Sequence, residues 1–255
     1  SAAPTDSTDA LAQGAQQYSL YVNTHADHLV AVVQALADAI HSGDLAAAKT
    51  AYASARAPYE RIEPVAESFT IGDENLDADI DAREGDVPED EWRGYHVIEK
   101  GLFEDGSLDG LGDVADTLVD NVTKLQGLVK DLEFQPAELA NGSMELMDEV
   151  QNGKITGEEE RYSHLDLLDF WSNLEGAQQA FAFLEPGLKD IDASLAGEVE
   201  DEFGKVAALL ESYKDPSALG GYRLYDTLSE SDTRALSQAV AALVEPLSSV
   251  AAKVV

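Results

Sequence analysis

A histidine and a glutamate stand three residues apart at His96 and Glu99, inside the run Trp92-Arg93-Gly94-Tyr95-His96-Val97-Ile98-Glu99-Lys100-Gly101-Leu102-Phe103. On a helix such a pair lies on one face, ~5–6 Å apart. An imidazole nitrogen and a carboxylate oxygen can then grip one metal ion. The pair follows the most acidic stretch of the chain, where Asp73, Glu74, Asp77, Asp79, Asp81, Glu84, Asp86, Glu89, Asp90 and Glu91 are accompanied by a single base, Arg83. Cysteine is absent, which removes disulfides, thiolate zinc sites, iron–sulfur clusters and thiol catalysis. Any ion must be held by oxygen and imidazole nitrogen, donors suited to iron, manganese, zinc or calcium.

The elements that position these groups read as helices. Leu11, Ala15, Tyr18, Val22, His25, Leu29, Val32, Leu36 and Ile40 recur at alternating steps of four and three, the pattern of a bundle-forming helix. Ser42-Gly43 ends it and Asp44 can cap the next, whose stripe is Leu45, Ala48, Tyr52, Ala55, Tyr59, Ile62, Ala66 and Phe69. Pro58 and Pro64 predict a bend or break in that second helix. The short connection makes the two antiparallel, so positions summing to about 85 lie level. His25 is then level with Glu60, and Glu63 lies about 4.5 Å further along.

Residues 70–91 read as an irregular acidic loop, with Gly72, Gly85 and Pro88 as breakers. Further helices are expected over about 112–132, from Gly142-Ser143 to Asn152-Gly153, and over 190–213 and 230–253, the last capped by Ser229 with Asp232. Thr156 with Glu159 is a capping-box signal for a long helix over 157–184, closed by Pro186-Gly187. No alternating run of β-branched residues predicts a strand. The expectation is an all-α protein: two up-and-down helical bundles packed into one elongated unit. A flexible tail is expected over 1–8, a first bundle over 9–133 and a second over 134–255.

Acidic residues outnumber basic ones 50 to 16, a formal charge of −34. Such a field repels nucleic acid and anionic lipid and attracts cations. No apolar run approaches the ~20 residues of a membrane-spanning helix. The first residues are small and polar, like the start of a mature exported protein or of a trimmed chain.

Several ordered motifs resemble one family. Arg56-Ala57-Pro58-Tyr59-Glu60-Arg61-Ile62-Glu63-Pro64-Val65-Ala66-Glu67-Ser68-Phe69, Ile80-Asp81-Ala82-Arg83-Glu84-Gly85-Asp86, Gly94 to Lys100, Ile155 to Phe170 and Tyr222 to Leu228 are similar to EfeO-type proteins of the imelysin superfamily. The resemblance runs from about Asp9 to the C-terminus. It implies an exported, monomeric, all-helical protein of the periplasm or cell surface, with a lipid anchor as one mode of attachment. Such a protein would bind ferrous or ferric iron, or zinc or another divalent cation. It would pass iron to an EfeU-like permease alongside an EfeB-like peroxidase.

By the same resemblance His96 and Glu99 are metal ligands, with Glu63 and Asp81 next and Glu60 and Glu67 as further candidates. His25, where a relative carries glutamate, would make the site less negative. Many full-length relatives carry an N-terminal cupredoxin domain that these 255 residues do not include, so no cupredoxin redox step is assigned.

Two other functions compete. A metallopeptidase is implied by the label some relatives carry, but the chain has no His-Glu-x-x-His helix. Binding of a polysaccharide or partner protein would use Trp92, Trp171 and Tyr222. His164, Asp166 and Asp169 are read as structural and not as a second site, because the two aspartates share one face and the histidine lies on another.

Overall fold

A computed structural model describes residues 6–255. Asp6 accepts from the Asp9 amide at 2.9 Å and so caps the first helix, α1 (Ser7–His41). The helix thus begins inside the stretch expected as a tail, and residues 1–5 lie outside the described residues. The buried face of α1 is Leu11, Ala15, Tyr18, Val22, Ala26, Leu29, Val33, Leu36 and Ile40. Ala26 and Val33 take the places the sequence stripe gave to His25 and Val32.

Asp44 caps α2 (Leu45–Ile62) through the Ala47 amide at 3.0 Å, as expected. The helix passes through Pro58 and breaks at Pro64, which opens a 3-10 turn over Glu63–Ser68. The acidic segment is more regular than an irregular loop. Strands β1 (Thr70–Ile71) and β2 (Glu74–Asn75) pair antiparallel, and Asn75 caps α3 (Leu76–Asp81). After a 3-10 turn at Glu89–Glu91 comes α4 (Tyr95–Glu99), which continues into a π-helical turn, Lys100–Asp105.

The remaining helices are α5 (Leu111–Val129), α6 (Pro136–Asn152), α7 (Asp166–Glu211) and α8 (Glu230–Leu247). Ser229 and Asp232 form the expected capping box of α8. The start of α6 lies at Pro136 rather than at Gly142-Ser143, with proline in the first turn where its missing N–H costs nothing. Gly142 serves packing instead: a Cβ there would lie 1.9 Å from the Pro64 carbonyl oxygen.

A larger difference concerns the second half. The two helices expected over 157–184 and 190–213 are one helix, α7, 46 residues long, with Pro186 inside it and its irregularity at Asp192. Residues 157–165 are not helical. Helix α1 packs against α2, α5 and α7, while α6 and α8 pack on α7 and on each other. One core of buried apolar side chains runs through all of them. The segment Glu230–Lys253 is long and apolar enough to cross a membrane. Its apolar face, Leu236, Val240, Leu243 and Leu247, is nevertheless buried in the protein core.

Candidate metal centre

Four pieces of chain converge on one polar cluster inside this apolar frame: the end of α2, the end of α3, α4, and the segment 154–169 that leads into α7. Burial of so many charges persists only if they are paired or bound to metal, so their partners define the site. At its centre is Arg56, fully buried. Its guanidinium donates to Asp81 at 2.6 Å and to Asp169 at 3.0 Å, bonds Glu60, and pairs with Glu160 at 2.5 Å. Its Cζ lies over the Tyr95 ring, 4.5 Å from the centroid.

His96 is 2% exposed. Its Nδ1 lies 2.9 Å from Glu99 Oε1, and its Nε2 lies 3.0 Å from Asp81 Oδ1. Burial alone would disfavour the imidazolium, but the bonds to Asp81 and Glu99 outweigh it and push His96 up to about 10. Glu99 is held down at about 2: its own burial acts the other way, and the His96 bond prevails. Its second oxygen accepts from the Tyr162 amide at 3.0 Å, the Ser163 amide at 2.8 Å and the Ser163 hydroxyl at 2.9 Å. The segment before α7 is thereby tied to α4.

A folded-state value above the free histidine's means that protonated His96 adds stability below pH ~6.5, lost as pH rises through about 10. We expect the ring to keep both N–H protons at pH 8 and to titrate near pH 10 in nitrogen-15 NMR. A neutral ring at pH 7 would contradict the double ion pair.

Gly94 fixes where α4 begins. Its φ of 94° is open to glycine, and a Cβ there would meet the Ile80 carbonyl oxygen at 2.2 Å. Gly94→Ala should therefore push His96 off Asp81 and cost at least ~2 kcal/mol. Urea unfolding checks this, and an unchanged midpoint would show that α4 is not pinned here.

A second cation, Lys154, sits beside the first. Its Nζ donates to Glu63 at 2.8 Å, Asn173 at 2.9 Å and Glu60 at 3.2 Å, and pairs with Glu159 at 3.4 Å. The carboxylates still outnumber the cations. Burial pushes Asp77 and Asp166 up to about 7, and raises Glu63, Glu160 and Asp169 well above the usual range. Burial thus disfavours the charged form of these acids, which a multivalent cation among them would favour.

Three sets of ligand atoms lie within 4.8 Å of one another: Asp81, His96 and Glu159; His96, Glu99 and Glu160; and Glu60, Glu63, Asp81 and Glu159. Ligands sharing one ion with bonds of ~2.0–2.6 Å sit at most ~5 Å apart, so each set has the spacing for a metal. The proton on the coordinating nitrogen must leave first. A cleft of about 250 Å³, lined by Glu63, Asp77, Asp81, Arg83, Lys154 and Glu159, leads to the first and third sets. It shares Glu63, Asp77 and Glu149 with a groove of about 390 Å³ that adds Glu67, Glu138 and Glu145.

The structure thus brings together His96, Glu99, Asp81, Glu63 and Glu60. Exposed Glu67 lies in the outer groove. His25 belongs to none of the three sets: it is half-buried against Tyr21, with 4.3 Å between rings. Burial, then the Arg61 charge, lowers it to about 4, so it is neutral.

Arg56, Lys154, Glu159 and Glu160 are not among the site residues expected from the sequence, and Asp169, read there as structural, joins Arg56 in the cluster. Arg56 had a signal, being a charge within the Tyr52–Tyr59 stripe. Glu159 had been read as part of a helix cap. Asp166 and Asp169 do share a face, which looks into this cluster, while His164 turns away towards Asp226 at 3.8 Å.

Compared with known families, the chain matches the model described as Imelysin over residues 14–250. It is 41% identical over 246 residues to an Efem/EfeO family lipoprotein of Staphylococcus aureus strain MRSA252, covering 94% of this chain and 84% of that protein. It is 38% identical over 250 residues to the iron uptake system component EfeO of Escherichia coli O157:H7, covering 96% of this chain and 65% of that protein. The chain thus spans just under two thirds of the E. coli relative. A solved structure from Parabacteroides distasonis ATCC 8503, described as an iron-regulated protein A precursor, superposes with a TM-score of 0.69 at 19% identity. It covers 100% of this chain and 97% of its own, a likeness of fold.

Proposed function

The chain belongs to the imelysin family, and from that premise we propose that it captures iron outside the cytoplasm as the binding component of an uptake system. The observation that carries this reading is His96, buried between Asp81 and Glu99 and surrounded by more carboxylates than Arg56 and Lys154 neutralise. Imidazole with several carboxylates suits ferrous and ferric iron alike, with zinc as a competing occupant. The names of the E. coli and staphylococcal relatives support the uptake role and the exported location.

The ion enters by the acidic groove, exchanges for protons at the cluster, and is handed to a permease of the EfeU kind, with an EfeB-like peroxidase in the same system. The protein acts as a monomer. No catalytic residue is assigned.

A charge of −34 also gathers a loose atmosphere of cations, and ionic strength separates the two modes. Screening contracts from ~10 Å at 0.1 M salt to ~3 Å at 1 M, so condensed ions are lost while ligated ones stay. Calorimetric titration with ferrous iron and with zinc should show stoichiometric binding at both salt concentrations. Disappearance of all binding at 1 M sodium chloride would leave the acids as a mere counterion sponge.

A further inference from the structure

Lys154 is placed where a cargo ion would compete with it. Glu60, Glu63, Asp81 and Glu159 present oxygens within 4.8 Å of one another, and the Lys154 ammonium pairs with three of these four acids. Asn173 fixes the arrangement from the other side: its Nδ2 donates to Glu60 at 2.7 Å and Glu63 at 3.0 Å, while its Oδ1 accepts from Lys154. A divalent ion among these acids and an ammonium beside it repel one another at close range. The multivalent ion offers more charge to the same acids, and the tethered amine must give way.

The chain around Lys154 is built for such a movement. Lys154 opens a three-residue 3-10 turn between Gly153 and Gly157, the latter with φ 84°. Its side chain lines the cleft that leads out of the cluster, so the ammonium has a path to solvent. The same segment carries Glu159 and Glu160, and the Tyr162 and Ser163 amides that hold Glu99. Movement at Lys154 is therefore connected through one short strap to the ligands themselves.

We propose that Lys154 is a built-in cation that fills the acid cage of the empty protein and is expelled into the cleft when a multivalent metal ion binds. This rests on the metal-capture reading above and adds a gate to it. An ammonium that compensates the cage keeps the empty protein folded and sets a threshold that monovalent ions do not cross. Return of the amine then competes with the cargo and helps to release it.

The test uses the wild-type protein with zinc, which is redox-inert. Lysine acetylation by acetic anhydride, read by peptide mass spectrometry, should find Lys154 protected without metal and several-fold more reactive at zinc saturation. Exposed lysines such as Lys205 should be unchanged. Calorimetry on the same samples establishes whether zinc binds. Saturating zinc with undiminished protection of Lys154 overturns the gate and leaves the metal site standing, whereas absence of zinc binding overturns both.

Lys154→Met should bind zinc about tenfold tighter or more, because one positive charge has left the cage. Lys154→Arg, which keeps the charge, should not. Equal affinity in all three proteins would overturn the proposal. Should Lys154→Met fail to fold, the acetylation experiment decides alone.

Discussion

A His96→Ala/Glu99→Gln protein titrated with ferrous iron or zinc should lose at least about 100-fold in affinity, since groups that merely orient a ligand are worth 10- to 100-fold. The reasoning runs through each substituted atom. His96 offers the lone nitrogen donor in the three candidate ligand sets, two of which contain it. Glutamine at 99 removes the charge but keeps an oxygen to accept the Tyr162 and Ser163 amides, so the strap stays in place. Asp81 keeps Arg56 when the imidazole goes. Binding should therefore fall while the circular dichroism spectrum stays that of the folded protein. A tight isotherm surviving in the folded variant would move the site to Glu60, Glu63, Asp81 and Glu159.

Much of this arrangement was legible in the sequence, and the places where it was not have physical causes. The caps at Asp44 and Ser229 and the break at Pro64 follow from local chemistry and appear as expected. The error at His25 is one of period. A strict alternation of four and three averages 3.5 residues per turn, and a straight helix drifts ~20° per heptad from it. After two heptads the true core face has moved from His25 to Ala26, which is fully buried.

Arg61, next to Glu60, is the charge on α2 that bears on His25. Turned one residue further round α2, Glu60 faces Arg56 instead. At residues 156–165 the local signal was overruled. Thr156 and Glu159 have a capping box's spacing, yet Thr156 bonds back to the Gly153 carbonyl and Glu159 enters the acid cluster. Such conflicts between local preference and global structure are expected at functional sites. Spacing on one helix reveals His96 and Glu99, but no periodicity could show that residues more than a hundred positions from Arg56 would fold onto it.

Arg56→Met should be the most damaging single substitution, costing ~3–5 kcal/mol at pH 7, the penalty for removing one partner of a buried ion pair. Methionine fills much of the same volume, so the loss is not one of packing. It leaves Asp81, Asp169, Glu60 and Glu160 without the guanidinium that bonds or pairs with them. The pH dependence identifies the cause. In the wild type, Asp81 is buried, which opposes ionisation, but Arg56 and then His96 hold its carboxyl below the usual range. Its stabilisation is thus present above pH ~3.9 and lost as pH falls through the lowered folded value.

Without Arg56 the burial that already raises Glu60, Glu160 and Asp169 loses an opposing charge and should raise them further, and Asp81 should lose the guanidinium that holds it down. The folded variant then takes up protons and gains stability as pH falls from 7 to 5, so the gap to wild type narrows. Urea unfolding of both proteins at the two pH values measures that gap. A penalty equal at pH 7 and pH 5 would assign the loss to shape and not to stranded charge. Lysine at the same place should not rescue the protein, because a compact ammonium cannot reach partners spread around a planar fork.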